Sequence, residues 1–90
     1  MKNISRREFA ILSAPIADIM DGRMQCEFWM AGRQEVRLLR SYSPSKLSQW
    51  LVVIRSDYED MARFREAATE EEARRIFNFE VGFIRKYYWR

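Results

Sequence analysis

The 90-residue sequence predicts a single small domain of the α+β class, in the element order α-β-β-α-α, with an antiparallel β-hairpin packed on helices. Apolar residues recur with helical spacing near both ends of the chain, and with a period of two between residues 24 and 40. The apolar fraction of 48%, with 3 Trp, 4 Tyr and 6 Phe, is typical of a folded chain. Because ninety residues have room for one hydrophobic core, we expect residues 1–90 to form one domain.

The first helix is predicted by a capping box, in which the side chains of Ser5 and Glu8 each accept a backbone N–H hydrogen bond. We expect this helix to begin near Arg6, because apolar residues follow at helical spacing. Pro15 interrupts the pattern, since proline removes one helical hydrogen bond and disfavours helix at the preceding residue. The segment is therefore expected to be kinked or to form two short helices, and to end at Gly22.

A β-hairpin is predicted between residues 24 and 40, where apolar and polar side chains alternate on both sides of residues 31–33. We expect Phe28 to pair with Val36, because this register places apolar residues opposite one another and acids opposite bases. A two-stranded ribbon is marginally stable by itself. The face that carries Phe28 and Val36 is therefore expected to pack against helices.

Residues 44–68 are predicted to form one helix, because Pro44 suits the first helical position and an apolar stripe follows it. Two observations leave alternatives open. A second capping box, formed by Ser56 and Glu59, allows the helix to break between two elements. The β-branched residues of the segment 52–54 allow a strand instead.

The last helix is predicted most clearly, because a third capping box, Thr69 with Glu72, precedes a broad apolar arc. Phe77 and Ile84 lie on this arc and are expected in the core. Helical spacing also places Glu80 near the middle of the arc. A buried carboxylate is costly unless it is paired, so we expect an Arg of the hairpin or the first helix to meet it.

The inventory of residue types argues against most catalytic chemistry. The chain has no His, which removes the commonest general base, metal ligand and activator of a nucleophile. Its three glycines are too scattered for a phosphate-binding loop. Cys26 is the one cysteine, so neither an intrachain disulfide nor a thiolate zinc cluster can form. We expect a protein that is not an enzyme and that uses no cofactor and no metal.

The sequence also predicts a protein without a membrane partner. Its longest apolar run, residues 50–54, is far shorter than the roughly 18 residues of a membrane span. The first eight residues become charged where a secretory signal would begin its apolar stretch. We therefore expect a cytoplasmic location.

Arginine outnumbers lysine strongly among the 16 basic residues, and the net charge is +3. Arg is favoured over Lys at protein and nucleic-acid interfaces, because its planar group donates several hydrogen bonds and stacks on aromatic rings. We expect the chain to occupy a surface of a larger protein or nucleoprotein complex, as an inhibitor or adaptor. The analogy is with compact His-free domains such as phage-encoded ones. Two alternatives stay open: a nucleic acid such as DNA, bound through the hairpin and the basic, aromatic C-terminus, and a second copy of the chain.

The candidate partner-binding residues lie on the hairpin and near the C-terminus. If Phe28 and Val36 face the helices, the alternation turns Trp29 and Leu39 outward, where no further predicted strand covers them. A Trp beside an Arg is typical of binding hot spots. The predicted set consists of these two residues and the nearby cations and terminal Trp: Trp29, Arg33, Arg37, Leu39, Arg40, Arg85 and Trp89.

Overall fold

A five-stranded antiparallel sheet and a C-terminal helix dominate the computed structural model, which describes residues 12–41 and 49–87. The strands are joined in the spatial order β1-β5-β4-β3-β2, so β2 to β5 form a meander and β1 is added beside β5. In chain order the elements are β1 (Leu12–Pro15), α1 (Ile16–Met20), β2 (Arg23–Ala31), β3 (Gln34–Ser41), β4 (Trp50–Ser56), β5 (Met61–Ala67) and α2 (Glu70–Tyr87).

Each face of the sheet has its own hydrophobic core. We call the face that α2 covers the front face and the opposite one, against which α1 packs, the back face. The front core consists of Val36, Leu38, Trp50, Val52, Ile54, Ala67, Ala73, Phe77 and Ile84. The back core consists of Ile19, Leu39, Leu51, Val53 and Ala62.

Residues 50–67 form two strands, so the helix predicted for residues 44–68 is wrong in this part. β4 is the central strand, and every side chain from residue 50 to residue 54 is at most 7% exposed. A strand that is buried on both faces has a continuous apolar run instead of an alternation, which imitates a helical stripe. The β-branched residues 52–54 favour the strand. Pro44, the predicted start of the helix, lies outside the described residues.

The Ser56–Glu59 pattern, which suggested a helix cap, forms the tight turn between β4 and β5. The backbone N–H of Glu59 donates to the carbonyl of Ser56 at 3.1 Å. Asp57 and Tyr58 between them have φ values of 57° and 59°. Positive φ at both central residues is the feature of a type I′ turn, whose twist matches that of an antiparallel hairpin. The turn leaves Tyr58 56% exposed.

The described part of the predicted first helix is a short strand followed by a short helix. β1 pairs with β5 at the edge of the sheet, where the missing N–H of Pro15 is tolerated. α1 begins at the next residue, Ile16, and the chain turns at Gly22, whose φ is 70°. The predicted capping box of Ser5 and Glu8 lies outside the described residues.

The predicted hairpin is confirmed as β2 and β3, but its register beside the turn is wrong. A two-residue turn around Gly32, whose φ is 60°, brings Trp29 and not Phe28 opposite Val36. Cys26 forms a β-bulge that shifts the register further along the strand. A shift of one residue exchanges the two faces of a strand, so Phe28 lies on the back face and Trp29 on the front face.

The predicted last helix is confirmed as α2. The backbone N–H of Glu72 donates to Thr69 Oγ1 at 3.1 Å, and Glu72 Oε1 accepts from the N–H of Ala68 at 3.1 Å. The buried residues of the helix recur every three or four positions, as an amphipathic helix requires; they are Ala73, Phe77, Glu80 and Ile84. Neither helix of the described residues is long and apolar enough to cross a membrane.

Phe77 is 8% exposed in the front core, so Phe77→Ala is expected to lower the free energy of unfolding by about 3–5 kcal/mol. Phe79, two residues along the same helix, is 61% exposed and supplies the matched control. Phe79→Ala is expected to change the same quantity by less than about 1 kcal/mol. Urea unfolding of both variants measures the difference, and equal losses would show that the helix is seated differently.

Candidate functional site

The two residues at the centre of the predicted binding surface lie on opposite faces of the sheet. Trp29 is half-buried on the front face, where it packs against the core beneath α2. Leu39 is fully buried in the back core, at 0% exposure. The prediction that both point outward together is therefore wrong, because it depended on pairing Phe28 with Val36.

Two of the predicted hairpin cations are held by contacts within the protein. Arg37 Nη2 donates to the buried Glu35 Oε1 at 2.7 Å, and its guanidinium lies 4.7 Å from the centre of the Phe28 ring. The guanidinium of Arg40 lies 5.6 Å from the centre of the Trp50 ring. The contacts of Arg37 occupy donors and the flat face that a guanidinium would offer to a partner, whereas Arg40 is exposed and has the ring contact alone.

The remaining predicted cations are exposed. Arg33, at the β2–β3 turn, is well exposed and lies 3.9 Å from the carboxylate of Asp57. Arg85 is exposed on α2. Trp89 lies outside the described residues. The structure therefore does not bring the predicted set together into one surface.

Two ion pairs join α2 to the sheet in the rotation that buries Phe77 and Ile84. Glu80, 8% exposed, accepts a hydrogen bond from Arg65 Nη1 of β5 at 3.1 Å. Arg74, on the other flank of the helix, donates to Glu27 of β2 at 3.1 Å, and its hydrogen bonds with Glu70 and Glu27 raise its pKa. The predicted pairing of Glu80 with an Arg is thus confirmed, although the Arg comes from β5 and not from the hairpin or first helix.

This rotation leaves a row of aromatic residues at the surface of α2. Phe79, Phe83 and Tyr87 are 61%, 44% and 54% exposed, and their spacing of four residues places them along one side of the helix. The rings of Phe83 and Tyr87 lie 4.6 Å apart at an angle of 44°. Because Glu80 is directed to β5, the row flanks the β5 side of the helix.

A groove lies between this side of α2 and the front face of β5, and we call it the α2–β5 groove. Its volume is about 860 Å³, within the range of sites that hold ligands. Arg63 and Arg65 belong to its sheet side, since both pair with residues whose side chains lie on the front face. The lining residues are Gln34, Ile54, Ser56, Asp57, Arg63, Arg65, Glu66, Glu72, Arg75, Ile76, Phe79, Glu80, Phe83 and Ile84.

The charges along the groove differ in how well they are satisfied. Glu80 is paired with Arg65, and Glu72 accepts a hydrogen bond at the start of α2. Arg63, in contrast, forms no ion pair with any other described residue and is exposed. Arg75 is 71% exposed and has only a distant partner, Glu71, at 3.9 Å. The groove therefore presents two available guanidinium groups beside an exposed aromatic row.

The groove can bind a ligand through aromatic and charged contacts. Aromatic rings can pack on apolar side chains, and free guanidinium groups can donate paired hydrogen bonds to a carboxylate or phosphate. Among residues 12–41 and 49–87, no three Asp, Glu, Cys or His side chains cluster closely enough to hold a metal ion.

Sequence reasoning missed Phe79, which is the most exposed aromatic of the row. The signal was present, because Phe79, Phe83 and Tyr87 recur every four residues. Together with Ile76 they widen the apolar arc beyond what one buried stripe requires. Such excess width indicates apolar surface in addition to the core.

Comparisons with models of protein families, with curated proteins and with solved structures find no match to this chain.

Removing the charge of Glu80 while keeping its shape, as in Glu80→Gln, is expected to lower the free energy of unfolding by about 2 kcal/mol, because Arg65 loses a charged partner in a shielded place. Arg65→Met and the double variant complete a double-mutant cycle, which isolates the pair from the other contacts of Arg65. We expect a coupling energy of about 1–3 kcal/mol from chemical unfolding. A coupling energy near zero would mean that the pair does not hold the helix.

Proposed function

We propose that this chain is a non-enzymatic binding domain whose α2–β5 groove holds a segment of a larger protein, so that the domain acts as an inhibitor or adaptor. The observation that carries the proposal is the exposed row of Phe79, Phe83 and Tyr87 beside the groove. Three large aromatic residues placed together at a surface are unfavourable in water. Contiguous exposed apolar groups of this kind mark interaction sites more often than isolated ones do.

The character of the groove supports a protein segment as its occupant. Binding hot spots are enriched in aromatic residues and Arg, and the groove combines Phe79 and Phe83 with Arg63 and Arg75. A helix beside a sheet also forms a concave surface, into which side chains of a partner can insert. α2, which forms one wall of the groove, packs on the front core through Phe77 and Ile84.

The balance of charges favours a protein over a nucleic acid. Of the three Arg that line the groove, Arg65 is paired with Glu80, which leaves Arg63 and Arg75 available to a ligand. A groove that follows a nucleic-acid backbone is dominated by cations, because each bound phosphate is neutralised by one. Of the hairpin cations that the nucleic-acid alternative requires, Arg37 is bound to the buried Glu35, whereas Arg33 and Arg40 are exposed.

Selection of displayed random peptides of about 12 residues on the immobilised protein tests this proposal, since a groove that holds protein segments selects peptides of its own. We expect selected peptides to lose about 2 kcal/mol of binding free energy, roughly thirtyfold in Kd, with Phe79→Ala. Phe28→Ala is the matched control, because Phe28 is 40% exposed on the opposite face of the sheet. It is expected to bind the same peptides as the parent protein does.

The contrary outcomes are distinct. Peptides that bind both Phe variants equally would place the binding surface elsewhere on the protein. Binding of labelled single-stranded or duplex DNA at about 150 mM salt, weakening steeply as salt is raised, would favour the nucleic-acid alternative instead.

A further inference from the structure

We infer that the segment held in the α2–β5 groove is acidic as well as apolar, with carboxylates that meet Arg63 and Arg75 on either side of an apolar residue that packs on Phe79 and Phe83. This inference rests on the proposed function, and it specifies the chemistry of the partner. It follows from the difference between the charges that line the groove and the charges that are left available to a ligand.

The formal charge of the lining misrepresents what a ligand meets. Glu80 is paired with Arg65 at 3.1 Å. Glu72 Oε1 accepts a hydrogen bond from the backbone N–H of Ala68. Asp57 is only weakly paired with Arg33, since the two exposed side chains are 3.9 Å apart. Glu66 lies opposite Leu51, so its side chain is directed to the back face of the sheet.

The Arg residues of the groove differ in whether they have a carboxylate partner. Arg65 is paired with Glu80. Arg63, two residues earlier on the same face of β5, has no carboxylate partner among the described residues. Arg75 and Glu71 are 3.9 Å apart and 71% and 89% exposed, a pair that contributes little and is easily exchanged for a better partner. Arg63, which has no carboxylate partner, and Arg75, whose partner is easily exchanged, are therefore the two groups of the groove that are complementary to carboxylates of an acidic segment.

The placement of these two cations indicates the spacing of the ligand groups. Arg75, Phe79 and Phe83 recur every four residues, so Arg75 lies one helical turn, about 5–6 Å, before the aromatic pair. Arg63 lies across the groove on β5, about 7 Å along the strand from Arg65. A ligand that packs an apolar side chain on the aromatic row therefore has a guanidinium on the helix side and another on the sheet side.

A second copy of the chain is the competing occupant, because the β4–β5 turn has the same chemistry. Its residues Asp57, Glu59 and Asp60 surround Tyr58, and all four are exposed. The turn adjoins the groove, since Asp57 lines it. Docking of this turn into another molecule would remove Arg63 and Arg75 from reach of a different partner. Self-association is therefore a separate outcome of the test, measured by light scattering with size-exclusion chromatography.

The test uses the peptides that the parent protein selects from the random display library. We expect them to be enriched in Asp and Glu next to aromatic or aliphatic residues. Arg63→Gln and Arg75→Gln are each expected to weaken binding about tenfold, as loss of one charge-assisted contact implies. Arg85→Gln is the matched control, because Arg85 is an exposed cation on α2 that does not line the groove, and it is expected to change binding less than about twofold.

Failure of the acidic-partner inference and failure of the proposed function give different results. Peptides that require Phe79 but show no acidic enrichment, and that bind the Arg63→Gln and Arg75→Gln variants unchanged, overturn the acidic partner and leave the proposed function standing. If no selected peptide depends on Phe79, the proposed function itself fails. Dimers that dissociate in the Phe79→Ala variant and in a Tyr58→Gly variant overturn the inference in favour of a second copy. Loss of binding in both groove Arg variants but not in Arg85→Gln supports it.

Discussion

The ion pair between Glu80 and Arg65 is the constraint on which the surface of this domain depends. Adjacent residues of a helix are about 100° apart around its axis, so a modest rotation of α2 would exchange buried and exposed apolar residues. Glu80 is nearly buried, and a carboxylate in that place requires a partner, which only Arg65 of β5 supplies among the described residues. The helix is therefore held with Phe77 in the core and with Phe79 and Phe83 at the edge of the groove.

A second buried carboxylate also holds Arg side chains within the protein. Glu35, at 2% exposure, is held between Arg37 and Arg55 on the back face, and this arrangement occupies two cations that the sequence presents as free. Buried carboxylates are thus paired with Arg side chains at two places in a chain that is rich in Arg. Arg63, in contrast, has no carboxylate partner among the described residues, and it lines the same groove as the exposed aromatic residues Phe79 and Phe83 of α2.

The parts of the fold that sequence reasoning predicted correctly have local signals. α2 has a capping box, helical periodicity and a single acid within its apolar arc, all of which the structure reproduces. β4 was predicted only as an alternative to a helix, because a central strand has no polar face and its apolar run cannot be distinguished from a helix by periodicity. The face of Trp29 depended on a two-residue turn and on a one-residue bulge at Cys26, and neither alters the alternation itself. The candidate site was missed because it joins α2 to β5, an element that the sequence did not predict.

Binding at the α2–β5 groove can be observed through the backbone amide signals of the isotopically labelled protein during titration with a selected peptide. We expect chemical-shift changes concentrated at Arg63, Arg75, Phe79 and Phe83, while the signals of the back-face residues Phe28 and Arg37 stay unchanged. Changes concentrated on the back face or along β2, with the groove signals unmoved, would contradict this expectation.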